Sequence, residues 1–93
     1  MKGKPIRIFT TTWCGDCFRA KSFLDRNGVR YEEVDIEKNE AALQTVMNAN
    51  GGRRRVPTFE IDGQFHGNPA INELAKLVGL VEAPPTEAPR AAR

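Results

Sequence analysis

Ninety-three residues, 40% hydrophobic and 28% charged, suit one modest globular core and leave little room for a second domain. A formal net charge of +2, with its only dense basic run at Arg53-Arg54-Arg55, excludes the broad electrostatic footprint of a nucleic-acid binder, and the run reads as a solvated loop. No stretch of about 18 apolar residues is present, and Met1 to Pro5 lacks the apolar region of a secretory signal, so a cytoplasmic protein with no membrane partner is expected.

Ile6-Arg7-Ile8-Phe9-Thr10, β-branched and aromatic behind Pro5, predicts a buried strand. Thr11-Thr12-Trp13 then leads into Cys14-Gly15-Asp16-Cys17. From there Phe18, Ala20, Phe23 and Leu24 form an apolar stripe at helical spacing that stops at Asn27-Gly28. Val29 to Ile36 reads as a second strand. Asn39-Glu40 starts a helix with Leu43, Val46 and Met47 on one face, and Asn50-Gly51-Gly52 ends it. Pro57 to Ile61, Asp62-Gly63 and Gln64 to His66 have the pattern of a β-hairpin. Asn68-Pro69 reads as a cap with proline at the first helical position, ahead of a stripe of Ile71, Leu74, Leu77 and Val78. The order is therefore βαβαββα within a domain of residues 1–81. Residues 82–93, rich in proline and alanine and without periodicity, are expected to be a disordered tail.

The chain has two cysteines, and a bridge between Cys14 and Cys17 closes a loop far too small to staple a fold. A tetrahedral zinc site would need two further ligands, and none stands at finger-like spacing, so no metal is expected. The use of the pair is then chemical. A thiol at a helix N-terminus faces unpaired backbone N–H donors, which lower a cysteine pKa from about 8.5 into the range of roughly 3.5 to 7.5. Cys14 occupies that place, and Cys17 lies one turn further on the same helix face, within reach of its sulfur and less exposed. Nucleophile and resolving thiol are the roles this spacing assigns. Two idle buried cysteines would not explain why strand, aromatic, Cys-x-x-Cys and helix come in succession. For Trp13, shielding the thiolate flank and plain core packing both remain open.

Thr11-Thr12-Trp13-Cys14-Gly15-Asp16-Cys17, the βαβαββα order and Arg55-Val56-Pro57-Thr58 resemble the glutaredoxin branch of the thioredoxin superfamily, over about residues 4 to 80. Asn50-Gly51-Gly52-x-Arg54-x-Val56-Pro57-Thr58 and the later Asn68-Pro69 look most like the mycoredoxins, which work with mycothiol. The resemblance implies an α/β, thioredoxin-like fold with a four-stranded mixed sheet in the order 2-1-3-4, flanked by three helices. It also implies a cis peptide before Pro57 beside Cys14, with the Val56 backbone free to pair with a substrate main chain. The activity implied is that of a monomeric thiol-disulfide oxidoreductase with no tightly bound cofactor, reducing S-thiolated proteins with a low-molecular-weight thiol. Its catalytic residues would be Cys14 and Cys17, and its substrate-binding residues Trp13, Gly15, Asp16, Arg55, Val56, Pro57, Gly67 and Asn68.

Three departures bear on the thiol. Glutathione-using members carry a lysine or arginine shortly before the active cysteine, where this chain has Thr11 and Thr12. They carry Gly-Gly and a polar or acidic residue before the last helix, where this chain reads His66-Gly67-Asn68-Pro69-Ala70. Asp16 replaces a common aromatic; its carboxylate favours the first helical turn, opposes thiolate formation at Cys14 and repels anionic substrates. Mycothiol, an uncharged sugar thiol, is therefore favoured over glutathione as co-substrate. Arg19, Lys21 and the Arg53 to Arg55 run are candidates to restore positive potential, and His66 reads as a surface or packing residue because thiol exchange needs no separate base. Two other readings stay open: an electron donor served by a thioredoxin reductase, for instance to ribonucleotide reductase, and a dimeric iron–sulfur cluster carrier, for which Gly15 would permit close approach.

Overall fold

A computed structural model describes residues 5–80, and the proposed tail at 82–93 lies outside the described residues. The elements follow in the expected order: β1 (Ile6–Thr10), α1 (Gly15–Arg26), β2 (Glu32–Asp35), α2 (Glu40–Ala49), β3 (Thr58–Ile61), β4 (Gln64–Gly67) and α3 (Ile71–Leu77). The strands form one sheet in the order β2-β1-β3-β4. β2 runs parallel to β1, whereas β3 and β4 are antiparallel to their neighbours, which makes the sheet mixed.

Alternation along β1 sends side chains to opposite faces. Ile8 packs with Ala20 and Leu24 of α1, Phe59 and Ile61 of β3 and Leu74 of α3. Phe9 points the other way, to Ile36 and to Ala42 and Val46 of α2. The sheet is thus covered by α1 and α3 on one face and by α2 on the other. Ile8, Leu24, Phe59, Leu74 and Val46 are fully buried, and truncating one such leucine costs about 2 to 5 kcal/mol.

The turn chemistry matches its residues. Gly28 adopts φ +68° after α1, and Asp62 and Gly63, at φ 55° and 81°, close the β3–β4 hairpin with the paired positive angles that suit the strand twist. Asn39 caps α2 by accepting from Ala42 N at 3.0 Å. Two boundaries differ from the sequence reading by more than one residue. β2 begins at Glu32 rather than Val29, because Val29 N–H is already spent on Leu24 O at 2.9 Å, closing the end of α1. The residue capping α3 is Ala70, with no side-chain cap bond, so Asn68-Pro69 is not its cap and first helical residue. Asn68 instead sits at φ 44°, a left-handed conformation that asparagine tolerates, and turns the chain out of β4.

This arrangement fixes where chemistry can occur. β1 is a central strand, and its C-terminal end delivers Thr11 to Cys14 to the start of α1. Phe9 pairs with Thr58, so one further step along the antiparallel register sets Pro57 level with Thr10 at that same end. Among the described residues no helix is long and apolar enough to cross a membrane.

Candidate active site

Cys14 is the N-cap of α1: its backbone is extended and its Sγ accepts from Cys17 N at 3.0 Å. A sulfur in that position takes a hydrogen bond from the unpaired first turn of the helix, the interaction that stabilises a thiolate. Cys14 is half-buried, whereas Cys17 is 1% exposed. The two are joined as a disulfide with Cα atoms 5.2 Å apart. An incoming nucleophile or disulfide can therefore reach Cys14 Sγ, while Cys17 can act only on its neighbour.

Trp13 is 69% exposed, which excludes the core-packing role, and Phe18 on the other side of the cysteines is 68% exposed. The indole Nε1–H donates to both carboxylate oxygens of Glu37 at 3.2 Å. Arg54 Nη2 lies 3.6 Å from the same Glu37 Oε2. Sequence reasoning did not find Glu37. Its position two residues past the second strand becomes informative only once β2 is known to run beside β1, which brings its end to Thr11–Trp13.

Asp16 is held from two directions: Oδ1 pairs with Arg19, and Oδ2 accepts from Asn68 Nδ2 at 3.3 Å. Asn68 N in turn donates to Pro57 O at 2.7 Å. These bonds connect the first turn of α1 to the Pro57 segment through the β4–α3 connection. A groove of about 330 Å³ opens beside them, lined by Asp16, Arg19, Asn68, Pro69 and Ala70 among others. A smaller hollow of about 100 Å³ at the opposite end of β1 is lined by Arg7 and its ion-pair partners Glu32 and Glu60, away from both cysteines.

The Val56–Pro57 peptide is cis, and Pro57 is buried. Ahead of it, Arg55 O accepts from Thr58 Oγ1 at 2.6 Å, and Asn50 Nδ2 reaches Thr58 Oγ1 at 3.1 Å and Val46 O at 2.8 Å. The Arg55 side chain runs across Gly67 so closely that a Cβ there would collide with it, and would stand 2.6 Å from Asn50 Oδ1. At Gly15, by contrast, a Cβ would meet nothing within 4 Å.

Three of the five candidate basic residues are engaged by carboxylates. Arg19 is paired with Asp16 and Arg54 with Glu37, while Lys21 turns away to Glu33 at 2.6 Å. Hydrogen bonding from Lys21 lowers the Glu33 pKa below its ordinary value; partial burial opposes this and the Thr10 hydroxyl, at 3.0 Å, reinforces it. Among the described residues Thr11 Oγ1, buried just before the reactive segment, has no hydrogen-bond partner.

Residues 6–66 match the family model for glutaredoxin. Over 77 residues the chain is 49% identical to a Mycobacterium tuberculosis protein whose name assigns it to the glutaredoxins, covering 81% of this chain and 92% of that one. It is 35% identical over 77 residues to mycoredoxin 1 of Corynebacterium glutamicum, covering 81% and 95%. The crystal structure of a glutaredoxin from Archaeoglobus fulgidus superimposes with a TM-score of 0.71 over 82% of this chain and 87% of that one, at 21% identity, a likeness of fold.

Proposed function

Because this chain belongs to the glutaredoxin family of thiol-disulfide oxidoreductases, we propose that it reduces protein mixed disulfides with a low-molecular-weight thiol, mycothiol in preference to glutathione. The observation that carries the reading is the asymmetry of the pair: Cys14 is a half-buried helix N-cap, and Cys17 is sealed behind it. The Cys14 thiolate attacks the small-thiol sulfur of the mixed disulfide, which releases the protein as a thiolate and leaves Cys14 bonded to the small thiol. A second small thiolate then attacks the sulfur of that cap and leaves as the small-molecule disulfide, regenerating the Cys14 thiolate. Alternatively Cys17 attacks Cys14 Sγ, expelling the small thiol and forming the Cys14–Cys17 disulfide.

In this reading Trp13 and the Val56–Pro57 segment flank the incoming disulfide. Gly15 keeps the first turn open, the groove at Asp16 and Asn68 receives the small thiol, and Arg55, packed over Gly67, contributes to substrate binding. Mycothiol is supported by the similarity to a mycoredoxin and by the groove's chemistry. A carboxylate and an amide suit hydroxyl groups; Arg19 pairs with Asp16, so the groove carries no surplus positive charge to hold the carboxylates of glutathione, and no basic residue stands at Thr11 or Thr12 to supply it. We place the activity in the cytoplasm, in a monomer whose working domain is residues 1–81.

The test is the monothiol reaction on a mycothiolated protein. Cys14→Ser should abolish it, and Cys17→Ser should retain much of it. If Cys17→Ser is as inactive as Cys14→Ser, the reaction is dithiol and this reading fails. Supplying NADPH and thioredoxin reductase in place of mycothiol and its reductase separates the electron-donor alternative, which requires the former to reduce the Cys14–Cys17 disulfide. Anaerobically purified protein without visible absorbance would dispose of the cluster carrier.

A further inference from the structure

Three segments meet at the carboxylate of Glu37, which touches neither cysteine. The Trp13 indole donates to both of its oxygens at 3.2 Å, and Arg54, from the loop that leads into Val56–Pro57, approaches Oε2 at 3.6 Å. Glu37 itself is anchored: its N–H donates to Asp35 Oδ1 at 2.9 Å, and the adjacent Ile36 N–H donates to Thr10 O at 3.0 Å, continuing the β1–β2 ladder. The Glu37 backbone is therefore fixed relative to the strand that leads to Cys14, and its carboxylate is held by Trp13 and Arg54.

An indole 69% exposed has little packing to hold it, and unsupported surface side chains change rotamer on the picosecond to nanosecond scale. A hydrogen bond to an ionised acceptor is roughly twice as strong as a neutral one and directional. Exposed ion pairs contribute little to folding, so the chain Trp13–Glu37–Arg54 is better explained by geometry than by stability. We propose that Glu37 is a positioning residue, orienting the Trp13 indole and, through Arg54, the segment 53–57, so that both flanks of Cys14 are set for the S-thiolated protein. Glu37 then governs how tightly the protein substrate is received, and Cys14 performs the chemistry. This inference rests on the proposed reduction of protein mixed disulfides.

Trp13 is the only tryptophan of the chain, so its fluorescence anisotropy reports indole mobility without any substrate. The experiment compares Glu37→Ala, Glu37→Gln and, as a control for charge alone, Glu40→Ala, in anisotropy and in KM and kcat on a mycothiolated protein. Glu37→Ala should lower the anisotropy and raise KM by about fivefold, the effect of losing one hydrogen bond, with kcat changed by less than about twofold. Glu37→Gln keeps an acceptor for the indole and loses the charge facing Arg54, so it should fall between, while Glu40→Ala should match the parent. Anisotropy unchanged in Glu37→Ala, or kcat lost with KM unchanged, would overturn the proposal. If the parent protein fails to reduce the mixed disulfide, the functional reading fails, and the anisotropy still decides whether Glu37 holds the indole.

Discussion

Replacing Gly67 by alanine places a methyl group 2.6 Å from Asn50 Oδ1 and into the Arg55 side chain. Arg55 is exposed and long enough to swing aside. Asn50 has less freedom, because its Nδ2 is committed to Val46 O at 2.8 Å and Thr58 Oγ1 at 3.1 Å, which tie the end of α2 to β3. Losing both bonds, each worth about 1 kcal/mol net, sets the expected destabilisation near 2 kcal/mol. For a domain of this size about 1 kcal/mol lowers Tm by roughly 4 to 8 °C, so Gly67→Ala should melt about 8 to 16 °C lower. Thermal unfolding followed by circular dichroism measures this, with a urea midpoint at unchanged m as a check on two-state behaviour. Gly15→Ala is the control, since its Cβ meets nothing within 4 Å and its Tm should hold or rise. Asn50→Ala combined with Gly67→Ala should cost less than the two singly. A Gly67→Ala protein melting within about 2 °C of the parent would refute the reasoning, because the neighbours would have moved at no cost.

Asp16→Asn removes the carboxylate, keeps a polar group and frees the Arg19 guanidinium at the groove, so the rate on a glutathione mixed disulfide should rise several-fold relative to that on a mycothiol one; equal changes on both would show that Asp16 does not select the thiol. The single tyrosine, Tyr31, should titrate at about 12, raised first by burial and then by its hydrogen bond to Asp25 at 3.0 Å. Its contribution to stability is then complete below the ordinary value of 10.0 and lost as pH rises toward about 12, and Asp25→Asn should lower the midpoint only part of the way in a tyrosinate absorbance titration. Glu33, whose pKa is lowered in the folded state, contributes stability above its ordinary value of 4.5 that is lost on acidification through its folded value. Glu33→Gln should therefore flatten the acid limb of the stability curve, with a loss at neutral pH of under about 1 kcal/mol because the Lys21 pair is partly exposed.

Local signals carried most of the fold. The alternation of Ile8 and Phe9, the stops at Asn27-Gly28 and Asn50-Gly51-Gly52 and the Asp62-Gly63 turn each act within a few residues, and the elements they mark are present. Asn68-Pro69 misled for a reason of the same kind: a cap signal is a statement about unpaired N–H groups one turn ahead, and here the asparagine side chain is engaged by Asp16, 52 residues away. The place of Cys14 at a helix N-terminus was legible because strand, cysteine and helix are contiguous. Glu37 and Arg54 were not, since their approach to Trp13 depends on which strand lies beside β1 and on the path of the loop before β3. The same applies to the basic residues, whose effect on the site depends on acidic partners that spacing does not reveal.

The identity of the atom that receives the small thiol tests the account most directly. Cys17→Ser, reduced and then mixed with one equivalent of a mycothiolated protein in the absence of free mycothiol, should be read by intact mass and peptide mapping. The account predicts a single mycothiol on Cys14 and the target protein released with a free thiol. An adduct between Cys14 and the target protein, or no adduct while the target is still reduced, would contradict it.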